Sequence, residues 1–83
     1  MAGSVHSDGY GAILAALVER RQAAGLSQAA LAARLGKPAS FVGKYELGER
    51  RLDVIELAMI LREMGTSMEL FWEEAGIKLP ERL

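Results

Sequence analysis

The sequence predicts an all-α fold, a compact five-helix domain. Three observations carry that expectation. Apolar residues recur at helical spacing from about residue 10 onward. No sustained alternation of apolar and polar residues, the mark of a half-buried strand, interrupts them. Each apolar stretch is bracketed by a capping residue or a Pro at its start, or by a Gly just past its end.

The elements follow in order. Residues 1–9 (MAGSVHSDG) are small and polar and read as a flexible tail. The first helix is expected from Tyr10 to Ala24, stopping at Gly25. The second opens with Ser27 as N-cap and runs from Gln28 to Leu35, stopping at Gly36. The third begins at Pro38, which suits a first helical turn, and ends before Gly48. The fourth has Asp53 as N-cap with Glu56 three residues on, a capping-box pattern, and reaches Met64. The fifth repeats that device with Thr66 and Glu69 and ends near Ala75. Residues 10–76 form the expected folded unit, and 77–83, with Pro80, a second tail.

Composition removes several kinds of chemistry. Eighty-three residues suffice for one domain. There is no Cys, so no thiolate metal site or disulfide is expected, and the single His is His6. A Ser/His or Cys/His catalytic pair therefore lacks candidates. Glu69, Glu73 and Glu74 crowd one short helix, but the first is placed to cap and the others to face water. No catalytic residue, metal or cofactor is expected. Apolar runs stay well short of the roughly 20 residues of a membrane span, and no secretory signal is visible. A cytoplasmic binder is the expectation.

The net charge of −1 hides an asymmetry. The span Arg20–Arg51 carries seven basic residues against Glu46 and Glu49, a local balance of +5. Residues 53–83 balance to −4. A basic middle and an acidic end suggest one anion-binding face and a second face with another task.

Helices 28–35 and 38–47, joined across Gly36-Lys37, form a helix-turn-helix pattern. Ala29, Ala30, Ala32 and Ala33 keep the first of the two narrow, and Leu31, Leu35 and Val42 would fill the angle between them. On the first helix, Ile13, Leu17, Arg21 and Ala24 share a face, so Arg21 interrupts an apolar stripe. On the third, Val42, Tyr45 and Glu46 share the inward face. Arg21 and Glu46 either meet across the core or snorkel separately to its rim. The wheel geometry favours the pair.

The outward face of the third helix holds Ala39, Ser40, Gly43, Lys44 and Leu47, with Gln28, Lys37, Arg50 and Arg51 around the same edge. Small residues, one hydroxyl and one ammonium make a thin surface that fits a DNA groove. Ser and Lys can bond base edges or phosphate, and Ala39 can touch a thymine methyl.

The stretches Arg21-Gln-Ala-Ala-Gly-Leu-Ser-Gln-Ala-Ala-Leu-Ala and Phe41-Val-Gly-Lys-Tyr-Glu-Leu-Gly-Glu-Arg-Arg resemble the phage repressor/Cro-type helix-turn-helix family, the Xre family, over about residues 12–72. The resemblance implies a lambda-repressor-like DNA-binding fold with double-stranded DNA as partner. It implies base contacts from Ala39, Ser40 and Lys44. It implies backbone contacts from Gln28, Arg50 and Arg51, with Lys37 and Phe41 beside them, Phe41 against a sugar or a thymine methyl. It also implies that Arg21 and Glu46 form a structural ion pair. Two features depart from the family pattern. Pro38 stands where a Ser or Thr cap is usual, and Gly43 lies mid-helix.

The function implied is sequence-specific transcriptional regulation on a partly palindromic operator. No sensor domain follows the DNA-binding unit, which points to control by concentration or by a protein partner. Restriction–modification controllers, prophage repressors and antitoxins all fit, and Glu69-Leu-Phe-Trp-Glu is reminiscent of the controllers. The alternative is a protein-interaction module on the same fold, with a partner such as a toxin. On the fourth helix, Val54, Leu57, Ala58, Leu61 and Met64 make the expected inward stripe, leaving Ile55 and Met59 on another face. On the fifth, Met68, Phe71, Trp72 and Ala75 form a stripe, with Trp72 at its edge and Leu70 pointing away. A homodimer is therefore expected, with Ile55, Met59, Leu70 and Trp72 at or near its twofold axis.

Overall fold

The structure, a computed structural model, describes residues 8–83; His6 and residues 1–7 of the expected tail lie outside the described residues. Five helices and no strand occur among the described residues: α1 Asp8–Ala23, α2 Gln28–Arg34, α3 Ser40–Glu46, α4 Val54–Glu63 and α5 Met68–Ala75. Residues 77–83 carry no helix.

Helix α1 starts two residues earlier than the sequence suggests, despite Gly9 and Gly11. Tertiary contact outweighs their weak propensity. Tyr10 packs on the core, and its hydroxyl oxygen accepts a hydrogen bond from the Leu52 backbone N–H at 3.1 Å. The inward stripe is Tyr10, Ile13, Leu14 and Leu17, continuing to Arg21. Ala24 lies past the helix end and is exposed.

Ser27 caps α2 as expected, its hydroxyl accepting from the Ala30 N–H at 3.0 Å. The turn into α3 depends on Gly36, whose φ of 70° is left-handed and strained for a side-chain-bearing residue. That geometry lets the Lys37 N–H reach the Ala32 carbonyl at 2.9 Å and the Gly36 N–H reach Ala33 at 3.1 Å. These bonds close the C-terminal end of α2. Pro38 stands before α3 rather than in it. Its carbonyl accepts the Phe41 N–H at 2.9 Å, and Ala39 fills the cap position without any side-chain bond.

Helix α4 has the full capping box between Asp53 and Glu56. Its inward stripe is Leu57, Ile60, Leu61 and Met64, at i, i+3, i+4 and i+7. The expected stripe is thus corrected at one end: Val54, in the first turn, is exposed and Ile60 is fully buried. The cap of α5 is also corrected. Thr66 serves the end of α4, its N–H bonding the Leu61 carbonyl at 3.0 Å. Ser67 takes over the cap, accepting from the Leu70 N–H at 3.1 Å.

The core lies where α1, α2, α3 and α4 converge. Leu17, Leu31, Val42, Tyr45, Ile60 and Leu61 are fully buried, the aliphatic ones each contributing ~1.5–3 kcal/mol. Phe71 alone is buried from α5. Two arginines bind the carbonyls at the end of α4: Arg20 bonds Met64 at 3.2 Å and Arg34 bonds Glu63 at 3.1 Å. The bonds place positive charge at the negative end of the helix dipole.

The loop between α3 and α4 is fastened by Glu56. Its carboxylate accepts Arg50 in a two-pronged bond at 2.9 and 2.6 Å, and Oε1 also accepts the Asp53 N–H at 2.9 Å. The Arg50 guanidinium and then the Asp53 N–H hold the Glu56 carboxyl down to about 2, because both favour its ionised form. A carboxylate whose pKa is lower folded than unfolded stabilises the fold at neutral pH and loses that contribution on acidification. Glu56→Gln should therefore melt below the parent at pH 7. The gap should close as pH falls from about 4.5 toward 2. Melting curves across that range check this; a gap that ignores pH contradicts it.

Candidate nucleic-acid interface

Helix α3 divides its residues cleanly. Val42 and Tyr45 are fully buried and Glu46 is largely covered, whereas Ala39, Ser40, Lys44 and Leu47 are exposed. The division arises because α2 and α3 pack most closely of all helix pairs, holding one side of α3 against Leu31 and Ala32.

The orientation of α3 is fastened by charge. Arg21 Nε lies 2.7 Å from Glu46 Oε2, and Nη2 reaches Oε1 at 3.2 Å. Their side chains are only 12% and 7% exposed. Arg21 also donates to the Leu26 carbonyl at 2.9 Å, and Gln28 Nε2 donates to Glu46 Oε1 at 2.8 Å. One carboxylate thus gathers α1 and α2 onto the end of α3. The bond to Glu46 raises the Arg21 pKa further, while burial opposes it. The Tyr45 phenol is pushed up mainly by burial, then by the Glu46 charge. Its hydroxyl has no hydrogen-bond partner among the described residues.

The basic rim is built on an aromatic ring. Lys37 Nζ lies 5.5 Å and Arg50 Cζ 4.9 Å from the centroid of Phe41, within cation–π range. Phe41 itself is 8% exposed and meets Tyr45 edge-on, with centroids 5.7 Å apart. The expected position of Phe41 beside the outer face is therefore corrected: its ring belongs to the core and carries two cations. Arg51 stacks on Tyr10 at 4.3 Å.

The sequence-predicted residues thus fall into three groups. Ala39, Ser40 and Lys44 share the open face of α3. Gln28 lies against Gly43, and Lys37 and Arg50 lie over Phe41, whereas Arg51 lies over Tyr10 of α1; Gln28 is also bonded to Glu46 and Arg50 to Glu56. Ile55 is 67% exposed and Leu70 50%, with Met59 less so and Trp72 half-buried. They lie on α4 and α5, away from α3 in the chain. Sequence reasoning missed Glu56 and Tyr10 as supports of the two loop arginines. The only signal was the capping-box Glu close to a pair of arginines. Among the described residues no cluster of metal-ligating side chains occurs, and no helix is long and apolar enough to cross a membrane.

A family model described as helix-turn-helix matches residues 17–71. The solved structure of an XRE-family like protein from Pseudomonas syringae pv. tomato str. DC3000 is similar at 45% identity, with a TM-score of 0.81, covering 94% of this chain and 95% of that one. No curated protein matches. The matched span contains Arg21, Glu46 and all of α2 and α3, so sequence and architecture agree: the chain belongs to the Xre/Cro-type helix-turn-helix family of DNA-binding regulators.

Proposed function

We propose that this protein is a sequence-specific transcriptional regulator that binds a partly palindromic operator as a homodimer. The observation that carries the reading is the face of α3 that the core leaves open. It bears Ser40 and Lys44 and is flanked by basic side chains already supported from below.

Helix α3 enters a major groove with Ala39, Ser40 and Lys44 toward base edges. Lys44 supplies a donor to guanine acceptors or phosphate; Ser40 bonds either. Gln28, Lys37 and Arg51 hold the backbone, and the two cations release counterions. Arg50 acts at the same edge with its charge balanced by Glu56, and Phe41 contributes through the cations it carries. One helix reads a short half-site. Two, related by a twofold axis, read successive major grooves ~34 Å apart. The exposed Ile55, Met59 and Leu70, with Trp72 beside them, supply the apolar surface for that axis. Such a regulator works in the cytoplasm, on the nucleoid. A protein partner such as a toxin would compete for the same apolar surface.

Lys44→Ala should reduce discrimination between operator and random DNA by ~1–3 kcal/mol. Arg51→Ala should weaken all sequences alike and lower the salt slope by about one. Fluorescence anisotropy across a salt series measures both; binding indifferent to the two changes together contradicts the reading.

Sedimentation equilibrium at tens of micromolar should give twice the 9.0 kDa monomer mass, shifted toward monomer by Ile55→Glu. A clean monomer that fills operator half-sites independently contradicts the dimer.

A further inference from the structure

Gly43 sits in the middle of α3 at a helical backbone angle. A glycine there costs up to ~1 kcal/mol against alanine. The fold gives no reason for it. A Cβ at position 43 would come no closer than 3.5 Å to any neighbour, an ordinary contact. Gly11 in α1 is more open still, with nothing within 4 Å of its Cβ position, so the missing side chain alone has no meaning. What distinguishes Gly43 is the group lying over it: the nearest atoms to the absent Cβ are Gln28 Oε1 at 3.5 Å, then Cδ and Nε2 at 3.9 Å.

The orientation of that amide is forced. Glu46 is already occupied by Arg21, and as an ionised carboxylate it only accepts. Gln28 must therefore turn Nε2 toward it, and does so at 2.8 Å. Oε1 is left over the glycine, exposed and receiving no hydrogen bond from the described residues. Neither Ala39 nor Gly43 has a side-chain donor to offer it. Glycine at 43 keeps a notch in the open face of α3, and the lip of the notch is an acceptor.

Resting on the proposed DNA-binding role, we propose that Gly43 and Gln28 Oε1 form a specificity-determining notch that selects an amino-bearing base. Phosphate oxygens cannot donate, so the backbone cannot satisfy Oε1. In the major groove, adenine N6 and cytosine N4 donate, whereas guanine O6 and thymine O4 only accept and are repelled. The second hydrogen on Nε2 stays available to a phosphate. Gly43 acts as a positioning residue: without a side chain there, the base edge approaches within bonding distance of the amide.

The test is selection of bound duplexes from random DNA by the parent, Gly43→Ala and Gln28→Ala, with melting curves for all three. The parent should enrich a motif with one half-site position restricted to adenine or cytosine on one strand. Gly43→Ala should melt higher and flatten the preference at that position roughly fivefold, leaving the others. Gln28→Ala should flatten the same position. Purine, which lacks the N6 amino group, placed at an adenine there should weaken the parent but not Gly43→Ala. If the variants return the parent motif, or if Gly43→Ala melts lower, the notch is overturned and DNA reading stands. If the parent enriches no motif, the DNA-binding role fails and the notch with it.

Discussion

The Arg21–Glu46 pair is the constraint on which the rest of the structure depends. It joins the last turn of α1 to the end of α3, and through Gln28 it reaches the first residue of α2. Burying two charges costs several kcal/mol of hydration, and their attraction roughly returns it. The pair is therefore weak as net stabilisation and strong as a geometric requirement. A rotation of α3 that moved Glu46 away would leave a guanidinium in the core. Apolar burial of Val42 and Tyr45 is non-directional, whereas the bond at 2.7 Å also fixes a direction. This is how a short helix of seven residues keeps one side turned outward.

The basic rim is governed by the same economy. Each loop arginine is supported, Arg50 by Phe41 and Glu56 and Arg51 by Tyr10. Such supports would reduce the side-chain entropy lost in the proposed contacts with phosphate. They also explain why a chain with net charge −1 can present a basic edge. From residue 53 onward, five of the seven acids (Glu56, Glu63, Glu69, Glu73 and Glu74) sit on α4 and α5, and Glu56 is the one bonded to Arg50 at the rim.

The number and order of helices were legible because each element carries local punctuation. Ser27 and Asp53 cap as their side chains require, and neither needs tertiary information. The ion pair was legible because a charge in an apolar stripe has few inexpensive placements. Where the reading differs, several side chains could serve one role. Thr66 and Ser67 are both good caps, and the closing turn of α4 decides between them by taking the Thr66 N–H. Val54 and Ile60 are both apolar on α4, and packing chooses Ile60. Phe41 lies next to the outer residues in sequence, but its ring is large enough to be drawn into the core. The Arg50–Glu56 bond depends on the path of a loop that periodicity does not describe.

The most direct test of the account is a double-mutant cycle on the central pair. Arg21→Met, Glu46→Leu and the double variant would be compared by urea unfolding, with one osmolyte concentration in all samples to keep the single variants folded. Each single change should cost ~3–5 kcal/mol, since each leaves a buried charge unpaired. The double variant should lose far less than the two together, and α3 should then be free to re-pack. Single costs that simply add, within ~0.5 kcal/mol, would show that Arg21 and Glu46 do not act as a unit and would contradict the account.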